Sequence, residues 1–165
     1  MKFFACFLIT ALLSPGFALA QSVAISDLNW LQRNNHEKQV QQIDELARIN
    51  LGMQVNGTKA DLQLLQRIIY RGLIAKDDHL AQQALGAVLG DVMVNEMGLE
   101  WKIYEDKLGF SRAACAPGTQ ECLFPITMLS RRMAVGILPN VEELYQETHE
   151  MIAPLLPKNP YDVIE

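Results

Sequence analysis

The chain has 165 residues, half of which are apolar, and a formal net charge of −5 at pH 7. A chain of this length and composition can bury one hydrophobic core. Its acidic balance, without a run of lysine or arginine, argues against nucleic-acid partners, because nucleic-acid binding depends on neutralising phosphates.

The first twenty residues have the pattern of a cleavable signal peptide. Lys2 precedes a short apolar run, and Ala18-Leu19-Ala20 offers a small-residue cleavage site. A membrane anchor is the alternative, but spanning a bilayer takes roughly 20 apolar residues and this run is shorter. Gln21 follows the predicted cut, where a lipoprotein would need a cysteine. We therefore expect a periplasmic or secreted protein with no membrane span after cleavage.

Two cysteines remain after cleavage, Cys115 and Cys122. In an oxidising compartment such a pair is expected to form a disulfide, and two free thiols are the alternative. Closing so short a loop stabilises a protein by about 2 to 3 kcal/mol in the chain-entropy model. The bridge would therefore fix a hairpin without holding the whole fold together.

Apolar residues at helical spacing predict helices over about 26–34, 38–51, 58–72 and 78–97. The period then changes from Leu99 to Tyr104, where apolar and polar residues alternate. This alternation predicts the first strand of a meander, and the second and third strands are expected at 110–115 and 121–124. Pro125 then ends the third strand or opens a helix, and a cap at Asn140 predicts a last helix.

These elements predict an α+β fold, in which N-terminal helices precede a small antiparallel three-stranded meander and C-terminal helices pack on it. Trp101 is expected at the centre of the core beneath the meander. The predicted organisation is a signal peptide (1–20), a single α+β domain (21–153) and a proline-rich C-terminal tail (154–165).

Four segments together resemble the bacterial domain of unknown function numbered 3806. The resemblance covers most of the mature chain and is firmest between about Leu80 and Glu150. It implies a fold neighbourhood and no functional residues, because that family has no established activity. The segments are Ala60-Asp61-Leu62 through Leu65-Gln66; Leu85-Gly86 through Leu89-Gly90-Asp91; Leu99-Glu100-Trp101 with Asp106 and Gly109; and Phe124-Pro125-Ile126-Thr127 through Ser130-Arg131-Arg132 with Gly136.

No catalytic residue or cofactor is predicted from motifs. The stretch from Gly109 to Ala113 has a central serine but lacks the closing glycine of a serine-hydrolase motif. The histidines His36, His79 and His149 are far apart and lack metal-ligand spacing, so no metal site is predicted and each is interpreted as a surface residue.

Glu96, Arg131 and Arg132 are the candidate site residues. Glu96 falls on the apolar side of its helix, where a carboxylate must reach water or a cation. We expect Arg131 or Arg132 to be its partner, and the alternative is that Glu96 bends outward. The arginines could instead bind a carboxylate or phosphate, although neighbouring helical residues point about 100° apart and would not serve one ligand.

Gly86 and Gly90 lie four residues apart on one predicted helix. They project from the same side, so another backbone can approach closely there. Tight helix packing is the expected reason, and ligand access is the alternative.

The function predicted first is a small exported binding or interaction protein, including an immunity-like protein that blocks a toxin in the envelope. Its partner would be an unknown envelope protein or a small ligand. The alternative is an envelope enzyme in which acids such as Glu100, Glu105 or Asp106 meet Arg131 only after folding. A third class is a structural accessory subunit that docks through its tail.

Overall fold

Residues 23–156 are described by the structure, which is a computed structural model. The predicted signal peptide (1–20) and residues 157–165 of the predicted tail lie outside these residues. The described part has five α-helices and four strands, and is therefore α+β as predicted. The elements are β1 (Ala24–Asp27), α1 (Trp30–Leu51), α2 (Ala60–Tyr70), α3 (His79–Met97), β2 (Glu100–Asp106), β3 (Gly109–Cys115), β4 (Cys122–Leu123), α4 (Pro125–Ala134), α5 (Val141–Ile152) and a 3-10 turn (Ala153–Leu155).

The sheet is antiparallel in the order β1-β2-β3-β4, so it has four strands where the sequence predicted three. The predicted meander is β2, β3 and β4. The additional strand, β1, is a short edge strand that pairs with β2, and it was missed because most of its residues are exposed and show no apolar alternation. Lys102 fixes this edge, since its Nζ lies 2.7 Å from Asp27 Oδ1 and 2.8 Å from Glu100 Oε2.

Helix α1 is one continuous helix, so the prediction of two helices over 26–34 and 38–51 was wrong. Asn29 caps it: the Asn29 side chain accepts from the Gln32 N–H, and the Gln32 side chain accepts from the Asn29 N–H. Gly52 ends the helix with φ +64°. The polar residues between the two predicted helices suggested a break, but one of them, His36, faces the interior.

Helix α3 is the centre of the core and packs against α1, α2 and α4. Because it has neighbours on several sides, it is apolar around most of its circumference and not along one stripe. Its fully buried side chains include Leu85, Val88, Leu89, Val92 and Met93. Within residues 23–156, no helix is both long enough and apolar enough to cross a membrane.

The two helix glycines of α3 permit close packing, as expected. A Cβ at Gly86 would lie 2.5 Å from the carbonyl oxygen of Pro125, and one at Gly90 would lie 2.3 Å from a ring carbon of Trp101. Pro125 is the first residue of α4, which settles the open alternative there in favour of a helix. Trp101 is only half-buried and lies at the rim of the core, so its predicted place at the centre was wrong.

Candidate functional site

The predicted disulfide is present. Cys115 and Cys122 lie opposite one another on β3 and β4, with their sulfur atoms 2.06 Å apart. The bridge joins the last residue of β3 to the short strand that leads into α4.

The structure does not bring Glu96 to either arginine. Glu96 is exposed in the last turn of α3, where its Oε1 accepts a hydrogen bond of 3.3 Å from the backbone N–H of Lys59. Among the described residues, no ion pair joins Glu96 to Arg131 or Arg132. The reason is geometric, because α4 meets α3 near Gly86, in the middle of that helix.

The two neighbouring arginines have different surroundings. Arg132 Nη1 donates a hydrogen bond of 2.8 Å to the carbonyl oxygen of Met128 on its own helix. Arg131 instead lines a cavity between α4 and β3. This divergence follows from the angle of about 100° between successive helical residues.

We name this space the β3–α4 cavity, and its volume is about 450 Å³, which is within the range of small-ligand sites. Its walls combine charged, hydroxyl and aromatic groups. The rings of Tyr104 and Phe124 pack edge-to-face with centroids 5.2 Å apart. The lining residues are Tyr104, Asp106, Leu108, Gly109, Phe110, Ser111, Arg112, Phe124, Ile126, Thr127 and Arg131.

A polar cluster that the sequence did not predict holds the guanidinium group of Arg112. Asp91 Oδ1 is 2.7 Å from His36 Nε2 and accepts a second hydrogen bond of 2.8 Å from Trp101 Nε1–H. Arg112 Nη1 is 2.9 Å from His36 Nδ1, and its Nη2 donates to Gln39 Oε1. The cluster therefore joins α1, α3, β2 and β3.

The two hydrogen-bond partners of His36, Arg112 and Asp91, determine its tautomer. A guanidinium group can only donate, so Nδ1 of His36 is the acceptor and Nε2 carries the proton that is donated to Asp91. Both ring nitrogens are thus occupied by protein groups, which leaves neither to act on a substrate. Burial lowers the pKa of Arg112, while the charge of Asp91 opposes this effect. The arrangement positions the guanidinium group of Arg112.

The interpretation of His36 as a surface residue was wrong, since it is buried with about 9% of its surface exposed. A signal for its burial was present in the sequence. Val40, Ile43 and Ala47 form the apolar stripe of α1, and extending that stripe by one turn toward the N-terminus reaches His36. Within residues 23–156, no group of three or more His, Cys, Asp or Glu side chains could hold a metal ion.

Fold and site together define a small α+β protein, with a helix-packed antiparallel sheet and an arginine-lined cavity at one edge of it. Residues 61–145, just over half of the chain, match the family described as Domain of unknown function (DUF3806). The chain belongs to this family, as the resemblance indicated. The matched region contains Asp91, Trp101, Arg112 and Arg131, whereas His36 and Gln39 precede it.

A solved structure has a similar fold. It is a crystal structure from Bacteroides thetaiotaomicron VPI-5482, with a TM-score of 0.71 and 18% sequence identity. The similarity covers 80% of this chain and 49% of that one, so this chain spans about half the length of the protein it matches. A comparison with curated proteins gives no match.

Proposed function

We propose that this protein is a small exported binding protein whose β3–α4 cavity takes an anionic group of its ligand. One observation carries the proposal. Arg131 lines the cavity, and among the described residues no side chain or carbonyl pairs with its guanidinium group.

The chemistry of the cavity suits a ligand that is both anionic and apolar. A guanidinium group presents several N–H donors in a plane that matches a carboxylate or phosphate. The Tyr104 and Phe124 rings supply an apolar wall beside it, and Ser111 adds a hydroxyl group. Such a combination of an apolar surface with few polar groups is common in ligand sites.

Two other charged residues, Arg112 and Asp106, line the cavity. The guanidinium group of Arg112 is bonded to His36 and Gln39 of α1 and is therefore already occupied. The one carboxylate among the lining residues, Asp106, accepts a hydrogen bond of 2.8 Å from the Leu108 N–H. Asp106 therefore fixes the turn between β2 and β3, and Arg131 is the charged lining residue that has no side-chain partner among the described residues.

An enzyme remains the second candidate, because Asp106 and Arg131 line the same cavity, as that alternative requires. General acid–base catalysis by carboxylates uses a pair with different pKa values. The lining of this cavity supplies Asp106 alone, so we favour binding.

The Cys115–Cys122 disulfide supports the export part of the proposal, since disulfides persist in oxidising compartments.

Binding of simple aromatic anions tests the proposal. We would titrate the purified, isotope-labelled protein with benzoate and with phenyl phosphate and follow the backbone amide signals by NMR. We expect the amides of Ser111 and Thr127, which line the cavity, to shift in a saturable way.

The neighbouring arginines provide a matched pair of variants. Arg131→Gln should abolish the shifts, whereas Arg132→Gln should leave them unchanged, because Arg132 is bonded to its own helix. The proposal is wrong if neither anion shifts these amides, or if the two variants respond alike.

A further inference from the structure

One edge of β3 is open along most of its length. On one side, β2 pairs with all of β3 from Gly109 to Cys115. On the other side, β4 pairs only with Ala114 and Cys115. Within the described part of the chain, no backbone hydrogen bond crosses this second edge at residues 109–113.

The hydrogen bonds beside β4 show which groups face the open edge. The Ala116 N–H donates to the Glu121 carbonyl oxygen at 3.0 Å, so Ala116 directs its amide group toward β4. In an antiparallel strand the amide groups of successive residues point alternately to the two sides. Every second residue before Ala116 therefore faces the same side. Two of these residues, Phe110 and Arg112, direct their N–H and C=O groups to the open edge.

This edge borders the β3–α4 cavity. Four consecutive residues of β3, from Gly109 to Arg112, line the cavity. Side chains of neighbouring strand residues point to opposite faces of a sheet, so a space that contacts four in succession lies at the strand edge. Across this space stands Arg131 on α4.

Within residues 109–113 the open edge has no proline, lysine or bulge, and α4 faces it only across the β3–α4 cavity. Edge strands are commonly shielded by proline, by lysine or by a bulge. Here the edge begins with Gly109-Phe110-Ser111, and β2 and β3 stay in continuous register. Leu108 and Phe110 are 94% and 75% exposed. The edge is thus regular, and the side chains at its start are exposed.

We infer, on the basis of the function proposed above, that the open edge of β3 binds an extended, acidic segment of a partner protein as an added strand. The segment pairs with the main chain of Phe110 and Arg112 and lies about 4.8 Å from β3. An Asp or Glu side chain of the segment binds Arg131. Charge complementarity selects an acidic segment, because Arg131 has no carboxylate partner among the described residues.

Selection from a library of random heptapeptides displayed on phage tests this inference. The selected peptides should be rich in Asp or Glu, and Arg131→Gln should weaken their binding by roughly 10- to 100-fold, as expected for a lost charge-assisted hydrogen bond. Arg132→Gln serves as the control and should bind them like the unchanged protein. In the complex, hydrogen exchange at the Phe110 and Arg112 amides should slow by at least about tenfold.

A second pair of variants separates main-chain pairing from side-chain contact. Phe110→Pro removes the N–H at the open edge, whereas Phe110→Ala keeps it and removes only the ring. We expect the proline variant to bind the selected peptides at least about tenfold more weakly than the alanine variant. N-methylation of the peptide amides gives the same test on the unchanged protein, in case the proline variant does not fold.

Several results would overturn the inference. One is that the library yields no binding peptide; another is that the proline and alanine variants bind alike. A third is slow exchange of the Phe110 and Arg112 amides in the protein alone, which would mean that a second copy or another part of this chain already pairs with the edge. If benzoate or phenyl phosphate still binds in an Arg131-dependent way, the proposed function stands and the added strand alone is refuted.

Discussion

Replacing His36 with leucine tests whether the polar cluster holds Arg112 in place. The substitution removes the hydrogen bonds to Asp91 and to Arg112, while leucine fills most of the same volume. Only 11% of the His36 side chain is exposed, against 26% of the Asp91 side chain. A hydrogen bond to a charged group contributes about 1.5 to 3 kcal/mol, and partial exposure places each of the two bonds, to Asp91 and to Arg112, at the lower end. We therefore expect the free energy of unfolding to fall by about 3 kcal/mol.

Urea denaturation followed by far-ultraviolet circular dichroism measures this change. Tryptophan fluorescence is less suitable, because the His36 and Trp101 rings lie 4.8 Å apart and the substitution would alter the signal directly. His79→Leu is the matched control, since His79 is exposed at the start of α3 and should change stability by no more than about 0.5 kcal/mol. A His36→Leu protein as stable as the control would refute the assigned role of the cluster.

Two further substitutions test the packing. Gly86→Ala should lower the free energy of unfolding by about 2 kcal/mol, although alanine favours helices. The reason is that the new Cβ would meet backbone atoms of Pro125 and Ile126, which no side-chain rotation can move. An unchanged urea midpoint would contradict the close approach of α3 and α4. Tyr145→Phe should leave stability unchanged or raise it by up to about 1 kcal/mol at neutral pH, because the buried hydroxyl has no hydrogen-bond partner among the described residues. Burial, and secondarily the charge of Glu96, raises the pKa of Tyr145, so the unchanged protein should lose stability as the pH rises above about 10 and the phenylalanine variant should lose less. Thermal unfolding from pH 8 to 11 measures the difference, and parallel curves for both proteins would contradict it.

The fold could be predicted from the sequence wherever apolar residues recurred without interruption at the spacing of a helix or a strand. Helix α2 shows the helical spacing, α3 is apolar over most of its length, and the change to alternation at Leu99 indicated β2. The prediction failed for β1 because an edge strand buries too little surface to require apolar residues. It failed for α1 because a buried polar side chain, His36, looks in the sequence like a residue of a linker.

The site was harder to predict, because its groups come from elements that are distant in the chain. Arg131 was selected by its charge, and the structure places it in a cavity. Its predicted partner, Glu96, was selected by its position on the apolar side of α3, but a residue in the last turn of a helix reaches solvent easily. The pairing of His36 with Asp91 spans 55 residues of sequence, and no local pattern indicates such a contact.

Arg112 connects the polar cluster to the open edge of β3. Its guanidinium group belongs to the His36 cluster, while its backbone lies at the open edge of β3 beside the cavity. Residues 61–145, which match the family, include Asp91, Trp101 and Arg112. His36 and Gln39, which complete the cluster, come from α1 and precede that region. Without α1, a half-buried carboxylate and a half-buried guanidinium group would lose bonding partners, which is costly for charged groups. Helix α1 is therefore part of the structural support of the open edge of β3, and if that edge binds a ligand as proposed, substitutions on the inner side of α1 should affect binding as well as stability.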